Sequence, residues 1–154
     1  MKLLRAQNIK DSNVETEAPT TESGGPVKEV ILLIEDEADI CNAFSEALSE
    51  QDVSVVTAQT GELGIELYRT HKDEVNLVVL DLSLPGISGE DTFRVLRRIN
   101  PNVKVVVSSG YGDQYVKKLF KGVVLLGTLQ KPYTWGALVE NMMKFLTMIR
   151  TKPG

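Results

Sequence analysis

Acidic side chains stand at two places in this 154-residue chain where apolar runs end. Glu35-Asp36-Glu37 follows the run at 30–34, with Asp39 close behind, and Asp81 follows Leu77-Val78-Val79-Leu80. Two later stretches end in Ser108-Ser109-Gly110 and in Lys131-Pro132. Carboxylates about 4 Å apart repel by some 4 kcal/mol at an effective dielectric near 20. Clustered acids therefore need protons or a cation. Hard oxygen ligands suit Mg²⁺, which takes one or two carboxylates and keeps places for water and phosphate oxygens. A carboxylate such as Asp81 can also attack phosphorus as a nucleophile. Lys131 offers a point charge to a phosphoryl oxygen or to Asp81 itself, and Ser109 offers a hydroxyl. Glu37 and Asp39 also suit the solvated start of a helix, where carboxylates meet the positive end of the dipole.

These groups act together only if the chain brings them to one place, and its pattern does so. Short apolar runs at 30–34, 53–57, 77–80 and 103–107 read as buried strands. A fifth strand falls within 123–130. Between them lie helical patterns. The first, 39–50, carries Ile40, Phe44, Ala47 and Leu48 on one face. Thr60 caps a second with Leu63, Ile65, Leu67 and Tyr68. Ser88 and Asp91 resemble a capping box before Phe93, Val95, Leu96 and Ile99. A short helix follows Asp113. Thr134 opens a last one bearing Trp135, Leu138, Val139, Met142, Phe145, Leu146 and Ile149. Five strands each followed by a helix predict a doubly wound parallel sheet. Such sheets bind ligands beyond the carboxyl ends of their strands, where all four motifs fall.

The remaining composition narrows the function. Residues 1–28 are polar and lack aromatics, and 16–26 mixes Ser, Thr, Glu, Gly and Pro without period. This stretch reads as a flexible leader or linker, because it offers little apolar surface to offset ordering entropy. A net charge of −4 predicts no general attraction to nucleic acid. No apolar run reaches the length of a membrane span. One cysteine, Cys41, allows no internal disulfide. The expected location is cytoplasmic.

The motifs together resemble response regulator receiver domains of two-component signalling systems, from about residue 29 to residue 151. Ile31-Leu32-Leu33-Ile34-Glu35-Asp36-Glu37 looks like their first strand and acidic pair. Asp81-Leu82-Ser83-Leu84-Pro85-Gly86-Ile87-Ser88-Gly89 looks like their phosphoacceptor loop, with Pro and Gly four and eight residues after the Asp. Val107-Ser108-Ser109-Gly110-Tyr111 resembles the strand that ends in the switch hydroxyl, and Lys131-Pro132-Tyr133 the Lys-Pro turn. The resemblance implies a flavodoxin-like (βα)5 fold in a single domain at 29–151, with a tail at 152–154. It implies that Asp81 accepts phosphate from a histidine kinase or phosphotransfer protein. Mg²⁺ (or Mn²⁺) would sit on Asp36, Asp81 and the Ser83 backbone carbonyl, with Glu35 acting through water. Ser109 and Lys131 would bind phosphoryl oxygens, while Pro85, Gly89 and Pro132 shape the loops. Receivers often present the face of their fourth and fifth helices to a downstream protein. The chain is then a signalling protein rather than an enzyme acting on other substrates.

Departures from the pattern matter as well. Many receivers carry Tyr or Phe three residues before the lysine; here Thr128 stands there. Ser83 and Tyr111 each lie two residues past a site residue and are expected to tune phosphate loss, the bulk of Tyr111 obstructing water. A haloacid-dehalogenase-like phosphatase needs a second acid where Ser83 stands. A flavodoxin-like cofactor binder needs a phosphate loop where Glu35-Asp36-Glu37 would repel it. A binding module on the same fold, independent of phosphorylation, is the remaining alternative. His71, the only histidine, reads as a solvated residue near a helix end.

Overall fold

The computed structural model describes residues 28–151. The polar leader, apart from Lys28, and the tail at 152–154 lie outside the described residues. In chain order the elements are β1 (Glu29–Ile34), α1 (Ala38–Ala47), β2 (Val53–Ala58), α2 (Gly61–His71) and β3 (Leu77–Asp81). They continue as α3 (Gly89–Ile99), β4 (Val105–Ser109), α4 (Asp113–Leu119), β5 (Gly127–Gln130) and α5 (Trp135–Thr151). The strands are parallel and pair in the order β2-β1-β3-β4-β5. This is the flavodoxin-like doubly wound sheet that the alternation predicts.

Side-chain alternation along each strand divides the core in two. Leu32 and Ile34 of β1, Val78 and Leu80 of β3, and Val105 and Val107 of β4 pack with Tyr68, Phe93, Leu96, Val116 and Phe120 from α2, α3 and the α4 region. Ile31, Leu33, Leu77, Val79 and Val106 face the other way. They meet Phe44 and Leu48 beside α1, and Leu138, Met142 and Leu146 of α5. Both faces of the sheet are thus covered, which is why its strands read as unbroken apolar runs.

Local signals set the helix starts. The Thr60 hydroxyl accepts from the Leu63 N–H at 3.0 Å, Ser88 from Asp91 at 3.0 Å, and Thr134 from Ala137 at 3.1 Å. Each satisfies one backbone donor that the first helical turn leaves unpaired.

One expectation is overturned. His71 is buried, 8% exposed, with Nδ1 3.8 Å from Glu74. It stands three and four residues beyond Tyr68 and Leu67, so the helical period carries it onto the inward face of α2. Leu63 of the same helix is 47% exposed. The inward stripe instead runs through Gly61, Gly64, Ile65, Leu67, Tyr68 and His71.

The register fixes the site. Ile34 lies opposite Leu80, so Glu35 and Asp81 leave adjacent strands side by side. Asp81 pairs with Ser108 and Ser109 with Gln130, so the residue after Gln130, Lys131, emerges on the same edge.

Candidate functional site

Carboxylate oxygens of Glu35, Asp36 and Asp81 lie within 4.8 Å of one another. Glu35 and Asp81 are buried, at 1% and 2% exposure, and Asp36 is partly buried. Three hard oxygen donors this close, with one side toward solvent, fit a Mg²⁺-type cation.

Lys131 supplies the balancing charge. Its Nζ donates to Glu35 Oε1 at 3.1 Å and lies 3.5 Å from Asp81 Oδ2. The other Glu35 oxygen accepts from the Glu37 N–H at 3.2 Å. The second Asp81 oxygen, Oδ1, accepts from the Ser83 N–H at 3.0 Å. Burial pushes the Glu35 carboxyl up from its ordinary value of 4.5 to about 7, and the Asp81 charge adds to this against the pull of Lys131. Burial opposes the Lys131 ammonium, but the Asp81 charge and the Glu35 contact outweigh it, so its pKa is raised. The site therefore holds a lysine that stays charged beside a glutamate poised near neutrality.

Backbone bonds lock these groups in place. The Lys131 N–H donates to the Ser109 carbonyl at 2.8 Å, and the Leu82 N–H to the Ser108 carbonyl at 3.0 Å. Lys131-Pro132 is a cis peptide. Gly89 has no room for a side chain, since a Cβ there would stand 2.6 Å from the Asp81 carbonyl oxygen and from Leu82 Cα. This close approach gives Gly89 its place in the loop after Asp81. Pro85 is exposed in the same loop, beside Gly86, whose φ of 72° suits a residue without Cβ.

The serines and Tyr111 sit less directly. Ser109 is buried, and its hydroxyl accepts from the Tyr111 N–H at 2.8 Å. The Tyr111 ring is 52% exposed and packs on Tyr115, centroids 4.5 Å apart. Ser83 is exposed and meets Asp81 through its N–H. Thr128, exposed on β5, lies opposite Val107. Thus Glu35, Asp36, Asp81 and Lys131 converge, with Ser83 and Ser109 tied to them through backbone, while the Tyr111 ring leans toward α4.

Two neighbours of the site carried no clear sequence signal. The buried Cys41 thiol donates to the Glu35 carbonyl at 3.3 Å. Burial and the Glu35 and Asp36 charges raise its pKa to about 11, so the thiol stays protonated and unreactive. Tyr133 packs edge-on against Trp135 at 5.5 Å, and burial raises its phenol's pKa. The aromatic after Pro132 was visible in the Lys-Pro turn, but nothing in the sequence tied Cys41 to the site.

A parallel, doubly wound sheet with a carboxylate cluster and a lysine at its carboxyl edge defines an α/β site built for an anion and a cation together. The model of the response regulator receiver domain matches residues 31–143. The chain belongs to that family, whose members are receiver domains of two-component systems. It is similar to the transcriptional regulatory protein AfsQ1 of Streptomyces coelicolor, 38% identical over 62% of this chain and 47% of that protein. It is also similar to the sensor kinase CckA of Brucella abortus, 28% identical over 75% of this chain and 12% of that protein. The chain thus spans half or less of the length of these relatives. A receiver domain structure from Clostridium thermocellum superposes with a TM-score of 0.71 at 24% identity, covering 79% of this chain and 97% of that one.

Among the described residues, no helix is long and apolar enough to cross a membrane.

Proposed function

We propose that Asp81 accepts a phosphoryl group from a phosphohistidine on a histidine kinase or phosphotransfer protein. The observation that carries this reading is the environment of Asp81. It is buried, held through one oxygen by the Ser83 N–H and faced on the other by Lys131, within reach of Glu35 and Asp36. An Asp81 oxygen forms the new bond to phosphorus as the bond to the donor imidazole nitrogen breaks. The Ser83 N–H fixes which carboxylate oxygen is free to attack, and positioning of this kind supplies much of the rate.

Asp36, Asp81 and the Ser83 carbonyl would hold Mg²⁺ or Mn²⁺. Glu35 acts through water, because Lys131 and the Glu37 N–H already engage both of its oxygens. When bound there, such a cation would supply positive charge to the phosphoryl oxygens. Lys131 exchanges Glu35 for a phosphoryl oxygen, and the Ser109 hydroxyl turns from the Tyr111 N–H to another. With Thr128 in place of an aromatic ring, these movements bias the face of α4 and α5 without coupled ring rotation. That face is the surface for a downstream protein. The functional unit is 29–151, joined to a leader at 1–28 and a tail at 152–154, and it works in the cytoplasm without binding nucleic acid itself. The sensor kinase among its relatives supports a kinase-linked role.

Trp135 tests the switch, because it is the only tryptophan and packs on Tyr133, two residues past Lys131. Beryllofluoride with Mg²⁺ is expected to change its emission in the wild type and not in Asp81→Asn. Equal responses, or none in either protein, contradict the proposal.

Tyr111 governs phosphate lifetime in this account. Tyr111→Ala is expected to speed loss of phosphate about threefold, equivalent to under 1 kcal/mol of barrier. Decay of the phosphorylated intact mass measures it, and an unchanged decay removes Tyr111 from that role.

A further inference from the structure

We propose that the acidic stretch 11–22 of this chain docks in a basic groove between α2 and α3, at the end of the sheet opposite Asp81. The groove encloses about 440 Å³ and is lined by Arg69, Lys72, Val95, Arg98 and Ile99. Val95 and Ile99 are partly buried and form an apolar floor, while the three cations around them are exposed.

The charges on this groove are unanswered. Arg94 pairs with Glu90 and Asp91, Arg150 with Glu29, and Arg97 lies 6.0 Å over the Phe93 ring. Among the described residues, Arg69 and Arg98 are the arginines left without such a partner, and both line the groove. Lys72 makes no ion pair among the described residues either. Of the nearby acids, Glu66 and Asp73 make no ion pair with these cations among the described residues, and Glu74 lies 3.8 Å from His71. Cations near helix carboxyl ends answer the helix dipole. That effect favours Arg69, Lys72 and Arg98 where they stand but supplies them no anion.

The sequence supplies the complement nearby. Residues 11–27 contain Asp11, Glu15, Glu17 and Glu22 and no Lys or Arg. They lead into β1 beside the groove. The Val30 N–H donates to Asn76 Oδ1 at 2.7 Å, the Asn76 N–H donates to the Val30 carbonyl at 2.9 Å, and Lys72 precedes Asn76 by four residues. Glu22 is eight residues before Val30, an extended reach of roughly 26 Å. A tether this short gives an effective concentration on the order of millimolar, so weak ion pairs suffice.

Carbodiimide coupling of the full chain, which joins carboxylates to amines in contact, tests this in a mixture of isotopically light and heavy protein. Lys72 is expected to join Glu15, Glu17 or Glu22 within one chain at about 50 mM salt. The yield is expected to fall roughly fivefold at about 500 mM salt, where screening is strong. It is expected to fall as far in Arg69→Gln/Arg98→Gln, which keeps the Lys72 amine and alters only exposed side chains. Absence of these products overturns the proposal. So does equal coupling to Lys117 and Lys118 on α4, a yield indifferent to the variant, or products that join only light to heavy chains and so place a second copy in the groove.

Discussion

Lys131→Met is expected to destabilise the protein by about 2 kcal/mol at pH 8 in the absence of divalent cations. Removing one member of a buried ion pair strands the other, which costs about 3–5 kcal/mol when both are fully enclosed. Here Lys131 is 23% exposed, and the discount for solvent screening lowers the figure. The loss arises because Glu35, Asp36 and Asp81 remain within 4.8 Å of one another without the ammonium. Millimolar Mg²⁺ should restore most of the stability, since a cation replaces the missing charge. Urea unfolding with and without Mg²⁺ measures both effects. Adding Glu35→Gln to Lys131→Met should also recover stability, because it removes one of the stranded charges. Equal losses from Lys131→Met in the wild-type and Glu35→Gln backgrounds would mean the two side chains are not coupled.

The second large effect is the pH dependence of cation binding. With Glu35 titrating near 7, a proton occupies the acid cluster below neutrality and opposes Mg²⁺. Mg²⁺ affinity should rise about tenfold from pH 6 to pH 8 and then level, one pH unit below the pKa being about tenfold in the ionised fraction. Binding near pH 7 should release protons, visible by calorimetry in buffers of different ionisation heat. The cation-free protein carries the linked effect. Because the folded pKa of Glu35 is raised, the stabilisation from its proton is fully present below pH 4.5. It is lost as pH rises through about 7. Glu35→Gln should flatten both profiles; a wild-type Mg²⁺ affinity constant from pH 6 to 8 would exclude the neutral-pH proton.

Much of this arrangement was readable from the chain because its signals are local. Apolar runs ending in acids, serines and lysine mark the strand ends, and Thr60, Ser88 and Thr134 mark helix starts by chemistry within three residues. The carboxyl-edge rule then places Glu35, Asp36, Asp81 and Lys131 together. What escaped depends on tertiary contact. Lys131 suits a phosphoryl oxygen or Asp81 on sequence grounds, yet it lies nearer Glu35, 96 residues away, than Asp81. His71 stands beside Lys72 and Asp73 and looks solvated, but a helix buries by angular position rather than by neighbouring polarity. Ser108 and Ser109 differ by one residue, and strand alternation alone directs their side chains to opposite faces. The Cys41 thiol meets the Glu35 carbonyl because β1 and α1 are joined by a short connection, a geometry that composition does not encode.

Intact mass after incubation with acetyl phosphate, with and without Mg²⁺ and beside Asp81→Asn, tests the central claim most directly. A gain of one phosphoryl group that requires both Mg²⁺ and Asp81 is expected. A gain that survives Asp81→Asn, or no gain together with no binding of beryllofluoride, would contradict it.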